Sequence, residues 1–275
     1  MTNHKLTASI VLYKTNIAEL EILISSLLLH IRAIKIYLVD NSPSDALKKL
    51  ATNDKIVYIH NPSNPGFGAA HNIAITKAIQ DSSKYHFIVN PDIYFEEDVM
   101  LPMVNYMENN ADVGMLMPQI LNTDGTVQHL PKLLPKPTDI LWRKFKKPKN
   151  AYTRFIANYE LRFVPKDLIY NVPVLSGCFT LLNLAAVKEI GMYDDRYFMY
   201  FEDWDLSRRM HQKYKTVYFP HVSVYHGYES GANKSSKLFQ IFIKSGINYF
   251  NKWGWFFDEE REKFNREALA QFNHD

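Results

Sequence analysis

The chain has 275 residues, 47% hydrophobic and 22% charged, which is long enough for a sizeable core and too apolar for a disordered chain. Its net charge of +3 is too small to argue for a nucleic-acid partner. Cys178 is the only cysteine, so an intrachain disulfide and CxxC metal or redox motifs are excluded.

In chain order, Ser9–Tyr13 reads as a buried strand and Ile17–His30 as a helix with apolar residues at helical spacing. Strands follow at Ile34–Val39 and Ile56–Ile59, then a Pro/Gly loop, a helix over Ala69–Gln80 and a strand over His86–Val89. This alternation predicts an α/β fold, a mostly parallel central sheet with helices on both faces. In such sheets ligands bind outside the carboxyl ends of the strands, where Asp40, Asn41, Asn90 and Asp92 fall. The second half is less regular. Strands are expected at Gly114–Ile120, Val174–Leu182 and Thr216–Phe219, and helices at Glu202–Tyr214 and Ser235–Trp253. Residues 131–150 hold four prolines, seven Lys/Arg and one Asp, and read as a basic excursion from the sheet.

Four constellations carry chemistry. Asn90-Pro91-Asp92 puts a carboxylate just past a buried strand, where it either helps hold a hard divalent cation or caps a helix starting near Glu96. Asn64–Asn72 (NPGFGAAHN) brings two glycines to a helix start, either a phosphate-approach loop or a tight turn. Tyr200–Leu206 (YFEDWDL) places three acids amid aromatics. The i,i+3 rule puts Glu202 and Asp205 on one face and Asp203 on another, with a salt bridge from Asp205 to Arg208 or Arg209. An aromatic surround raises a carboxylate's basicity, as a general base requires. His221 and His226 follow the last strand, and His226 sits in the better setting for a ligand.

Taken in order, VLYK, VDNS, NPGFGAAHN, NPD, SGCFTLLN, GMYDDRYFMYFEDWDL and YHGYESG resemble the family 2 glycosyltransferases of GT-A fold. The NPGFG, NPD and FMYFEDWDL segments look like bacterial rhamnosyltransferases of cell-surface polysaccharide synthesis, such as O-antigen. The resemblance implies that Tyr13, Asp40 and Ser42 hold the base and ribose, and that Gly66, Phe67 and Asn72 form the loop beside the nucleotide. It implies that Asp92, with Asn90 standing where the family has its first acid, binds Mg²⁺ or Mn²⁺, and that His226 is a further metal or diphosphate ligand. It makes Asp203 the catalytic base and puts Ser176, Gly177, Cys178 and Glu202 on the acceptor side. The implied activity is inverting transfer of a sugar, best L-rhamnose from dTDP-rhamnose, to a saccharide acceptor on a polyprenyl diphosphate. Another hexose from a UDP-sugar, or an inactive nucleotide-sugar-binding protein, are the alternatives. A dinucleotide oxidoreductase is disfavoured, since Tyr13-Lys14-Thr15-Asn16 stands where GxGxxG would follow the first strand.

The expected organisation is one GT-A domain over residues 1–230, with 131–170 as a basic, membrane- or acceptor-facing excursion, and a helical extension over 231–275 packed on the same domain. The basic segment reads either as a solvated or packed element, or as an interfacial one with Trp142 and Phe145 inserting among anionic headgroups. Aromatics from Phe239 to Phe257 extend that surface, form a homo-oligomer contact, or cover the core. The sequence has no signal-peptide run and no membrane span, so the expected location is cytoplasmic, peripheral at the inner face of the membrane.

Overall fold

The computed structural model describes residues 6–30, 34–227 and 235–272. Its elements are β1 (Leu6–Leu12), α1 (Ile17–His30), β2 (Ile34–Asp40), β3 (Ile56–His60), α2 (Phe67–Gln80), β4 (Tyr85–Val89) and β5 (Ile93–Tyr94). There follow α3 (Met100–Asn109), β6 (Val113–Leu121), α4 (Pro137–Phe145), α5 (Lys149–Tyr159), β7 (Tyr170–Asn171) and β8 (Phe179–Asn183). The chain continues through α6 (Leu184–Ile190), α7 (Glu202–His211), β9 (Lys215–His226), α8 (Ser236–Trp253) and α9 (Glu259–Ala270).

The strands form one sheet in the order β3-β2-β1-β4-β8-β6-β9-β5, with β7 also on β9. β1, β2, β3 and β4 run parallel, as do β6 and β9, while β8 is antiparallel to both β4 and β6. The chain steps outward from β1 to β2 and β3, then returns past β1 to β4. Right-handed crossovers therefore put α1 and α2 on opposite faces. The reversal opens a crevice between the carboxyl ends of β1 and β4, where the loops at Tyr13 and Asn90 begin. The α/β architecture expected from the sequence is the one observed.

Burial on both sides explains the predominantly apolar runs of β1, β2 and β4. Three polar residues in them are paired across strands. His86 bonds Thr7 at 2.8 Å and Ser9 at 2.7 Å, and Ser9 bonds His71 at 2.7 Å. Burial holds both imidazoles neutral, with His86 pushed down to about 3. His71, although part of the glycine-rich motif, is thus a core residue.

Several boundaries differ from the sequence reading. Tyr13 lies beyond β1 and is half exposed. β8 occupies only the end of the expected Val174–Leu182 strand, and residues 176–178 line the cleft described below. β9 is far longer than Thr216–Phe219. Its pairing jumps from Pro118↔Phe219 to Gln119↔Ser223, so residues 220–222 bulge out where Pro220 lacks an N–H. His221 is exposed on that bulge and His226 ends the strand, so neither follows it as expected.

Helix α9 falls within the helical extension expected over 231–275, beyond the Ser235–Trp253 helix read there. It is joined to α7 by a buried ion pair. Arg208 donates to both oxygens of Asp258 at 2.7 and 2.6 Å and to Glu260 at 2.8 Å, beneath the Trp253 ring. The expected partner of Asp205 is settled as well: Arg209 and Lys252 pair with it, and Arg208 does not. Burial pushes the Asp258 carboxyl up, but the Arg208 hydrogen bonds and the Arg261 N–H outweigh it and the net shift is downward. Asp258→Ala leaves Arg208 buried with only Glu260, and should cost about 3–5 kcal/mol in urea unfolding. Because the folded value is depressed, the pair's contribution is present above the ordinary carboxylate pKa of about 4 and lost as pH falls through the lower folded value. An acid-side loss of stability that is as large in Asp258→Ala as in the parent would contradict this.

Candidate active site

A cleft of about 560 Å³ opens at the carboxyl ends of the central strands. At one end it is lined by Asn90, Gln128 and His226, in the middle by Phe67, Ser176, Gly177, Glu202 and Asp203, and at the far end by Arg143, Lys144 and Lys146 with Ile140, Phe239 and Phe242.

At the first end β5 pairs with the end of β9, setting Ile93 opposite His226. This brings His226 Nε2 to 3.4 Å from Asp92 Oδ1 and to 3.3 Å from Asn90 Nδ2. Gln128 fixes the imidazole. Its Nε2 donates to the His226 carbonyl at 3.0 Å, so its Oε1 faces His226 Nδ1 at 3.1 Å. A carbonyl only accepts, so this amide orientation is determined, and Nδ1 carries a proton. Nε2 is then turned toward Asn90 and Asp92. Asn90 Oδ1 is buried without a hydrogen-bond partner.

A carboxylate oxygen, an imidazole nitrogen and an orphaned amide oxygen are groups that could ligate a divalent cation. Among the described residues no group of three or more His, Cys, Asp or Glu could hold a metal. This corner therefore suits a cation that takes its remaining ligands from a bound diphosphate and water. Asp92 is not a helix cap. Helix α3 starts at Met100, and Asp98 accepts from the N–H groups of Met100 and Leu101.

In the middle, Tyr200 (φ +70°) and Phe201 (φ +67°) are both left-handed, a costly conformation for aromatics. It persists because Phe201 is locked among Tyr197, Tyr249, Phe250 and Trp204. The turn presents Glu202 and Asp203 together to the cleft, and Asp205 faces away into its ion pairs. The helical-face rule had grouped Glu202 with Asp205. It fails because Glu202 is the first helical residue and its side chain follows the strained turn. Asp203 Oδ2 accepts the Gly177 N–H at 3.2 Å and Oδ1 the Trp204 N–H at 2.9 Å. Burial raises the Asp203 carboxyl, opposed by the Gly177 N–H and the Lys132 charge. Glu202 is raised well above the carboxylate range by burial and by the Asp203 charge beside it.

The other expected nucleotide residues lie along the strand ends outside this cleft. Asp40 is buried, with Oδ2 accepting from Tyr58 at 2.7 Å and Oδ1 from the Ser42 N–H at 2.9 Å. Ser42 Oγ accepts the Lys14 N–H at 2.8 Å, tying the Tyr13 loop to the end of β2. Gly66 (φ +110°) is required by contact: a Cβ there would meet the Phe198 carbonyl at 2.2 Å. Asn72 was expected beside the nucleotide, but its amide clamps the next loop. It donates to the Tyr193 carbonyl and Asp195, and accepts the Tyr193 N–H.

Lys132 was counted with the basic surface and is instead buried in the cleft, donating to the Leu130 carbonyl at 2.9 Å. Burial, then the Arg143 charge, lowers its amine to about 8. Gln128 was missed altogether. Of the other basic residues, Arg143 and Lys144 sit on α4, which buries none of its side chains, Lys136 and Lys146 cap it, and Lys149 begins α5. Of the aromatics from Phe239 to Phe257, Tyr249 and Phe250 cover the core, while Phe256 and Phe257 are exposed. The loop residues Tyr228–Gly231 of the last motif lie outside the described residues.

The cleft and sheet order define a GT-A-type sugar-nucleotide fold. The family described as Glycosyl transferase family 2 matches residues 9–191, and the chain belongs to it. It is 27% identical over 224 residues to N-acetylglucosaminyl-diphospho-decaprenol L-rhamnosyltransferase of Mycobacterium tuberculosis, covering 75% of this chain and 71% of that one. It is 26% identical over 226 residues to the rhamnosyltransferase WbbL of Escherichia coli K12, covering 78% and 81%. A crystal structure of GalNAc-T7 with UDP, GalNAc and Mn²⁺ shares the fold, with a TM-score of 0.65 at 17% identity, covering all of this chain and 53% of that one.

Asn72→Ala should leave the buried Tyr193 N–H without its acceptor and destabilise the protein by about 1–3 kcal/mol in urea unfolding. A loss under about 0.5 kcal/mol, the scale of an ordinary surface change, would contradict the clamp.

Proposed function

We propose that this glycosyltransferase moves L-rhamnose from dTDP-rhamnose to a saccharide hydroxyl, with inversion, in surface-polysaccharide assembly. The observation that carries the reading is the placement of Asp203 in one cleft with the Asn90–Asp92–His226 corner. Two rhamnosyltransferases among the relatives support the sugar. A transferase for another hexose from a UDP-sugar is the second reading, favoured by 22% identity over 172 residues to the hexosyltransferase Agl10 of Haloferax volcanii.

In this account the nucleotide lies along the ends of β1 and β2, at Tyr13, Asp40 and Ser42, and its diphosphate reaches Asp92 and His226. A divalent cation, as Mn²⁺ in the GalNAc-T7 crystal, would offset charge on the departing diphosphate. The acceptor oxygen attacks the anomeric carbon from the opposite face as the bond to the diphosphate breaks, and its proton passes to Asp203. The two N–H bonds from Gly177 and Trp204 keep that carboxylate oriented, and burial keeps it basic.

The far end of the cleft suits an acceptor with a diphosphate and an isoprenoid chain, like the one named for the mycobacterial relative. Arg143 lies over the Tyr159 and Trp204 rings and Lys144 over Phe239 at 4.2 Å, beside the apolar Ile140 and Phe242. On the outer side of α4, Leu141, Trp142 and Phe145 are exposed beside Lys146 and Lys147. That combination suits an anionic membrane surface.

Asp203→Asn should abolish transfer, by about 10²-fold or more, while donor affinity is kept. Near-parent turnover would sink the base assignment. Asp92→Ala should remove the metal dependence of donor binding in calorimetry, and donor affinity indifferent to metal in the parent protein would contradict the site. Changing Arg143, Lys144, Lys146 and Lys147 to Ser should release the protein from anionic liposomes in flotation. Unchanged flotation would count against the surface.

A further inference from the structure

We infer that Glu202 works as a neutral carboxylic acid, donating a hydrogen bond from its own proton to the acceptor saccharide beside the hydroxyl that Asp203 deprotonates. This rests on the transferase reading of the same cleft and deepens it.

Glu202 and Asp203 are consecutive, line one cleft and are both raised by burial, yet the hydrogen bonds and charges around them differ. Asp203 accepts two backbone N–H bonds and feels the Lys132 ammonium, all of which favour its ionised form. Glu202 is 6% exposed, and its Oε2 is buried with no hydrogen-bond partner. Among the described residues no Lys or Arg pairs with it. Its own backbone N–H is the one opposing influence, and the Asp203 charge works against ionisation. A carboxylate buried with neither cation nor adequate donors is disfavoured, whereas the acid form carries an O–H that needs an acceptor. Oε2 is enclosed, so the O–H belongs on Oε1, the oxygen that meets the cleft, where a sugar hydroxyl supplies the acceptor. Adjacent carboxyl groups held in different protonation states divide the donor and base roles between them. No proton leaves Glu202: the acceptor's proton goes to Asp203, and Glu202 keeps its own.

The other titratable groups facing the pair leave this division in place. Tyr193 is raised well above its ordinary value and Cys178 up to about 12, both by burial, so both are neutral across the working range. Lys132, at about 8, titrates within it. A rate profile alone would therefore mix Lys132 with Glu202, and a direct view of the proton is needed.

Infrared difference spectra of the full chain at neutral pH, parent minus Glu202→Gln, should contain a carboxylic-acid C=O stretch. Kinetics with the same variant supply the second arm. Gln retains a neutral N–H donor, so Glu202→Gln should lose about tenfold or less in kcat/KM for the acceptor, while Glu202→Ala should lose about a hundredfold. The loss in Ala should fall on the acceptor, with donor affinity kept in both variants. A carboxylate band in place of the acid band, or a Gln variant as impaired as Ala, would overturn the inference. Should Ala fail to fold, the infrared arm on the Gln variant decides alone. Absence of donor binding in the parent would refute the transferase reading, and the infrared result would still report whether Glu202 holds its proton.

Discussion

The two backbone N–H groups that meet Asp203 are the constraint on which the site depends. One comes from Gly177 on the segment leading into β8, the other from Trp204 at the start of α7. Together they tie the sheet to the helix that carries the acidic pair. Their geometry exists only because Tyr200 and Phe201 accept left-handed backbone, and an aromatic cluster from α7 and α8 holds that turn. The late part of the chain therefore supports the chemistry without touching it, through Tyr249 and Phe250 beneath Phe201 and through the Arg208–Asp258 pair.

The corner at Asp92 is held together by different parts. β5, a strand of two residues, reverses the chain after Asp92 and sets its carboxylate against His226. Gln128 fixes the ring so that Nε2 is turned toward Asp92. Asn90 contributes an amide oxygen where the resemblance leads one to expect an acid, and that oxygen is left without a partner. The corner carries one fewer negative charge than a pair of carboxylates would. Cation binding there should accordingly be coupled to arrival of the donor diphosphate.

Much of this was legible in the sequence because buried parallel strands are short apolar runs and their ends are polar. β2, β3, β4 and α1 fell within a residue or two of their positions for that reason. Asp92, Asp203, His226, Ser176 and Gly177 could be read as a group from motif order, although the residues come from distant segments. What was illegible depends on long-range geometry. Gln128 is an isolated polar residue after a turn, and nothing local marks it as the partner of His226. Lys132 looked like one more surface cation because burial of a lysine has no signature in composition. Asn72 carried a motif's expectation of a ligand, but its amide is spent on the Tyr193 loop, 121 residues away. The β9 bulge hid behind Pro220, and the strained turn at Tyr200 reversed the face assignment of Glu202.

In the proposed function, Asp92 and His226 form the diphosphate end of a donor site whose other end is Asp203. The most direct test is a crystal of the protein with Mn²⁺ and a nucleoside-diphosphate sugar, with the metal located by its anomalous signal. The expected result is a metal peak beside Asp92 and His226, with the diphosphate next to it and the anomeric carbon facing Asp203. A diphosphate bound instead among Arg143, Lys144 and Lys146, with no metal at Asp92, would contradict it.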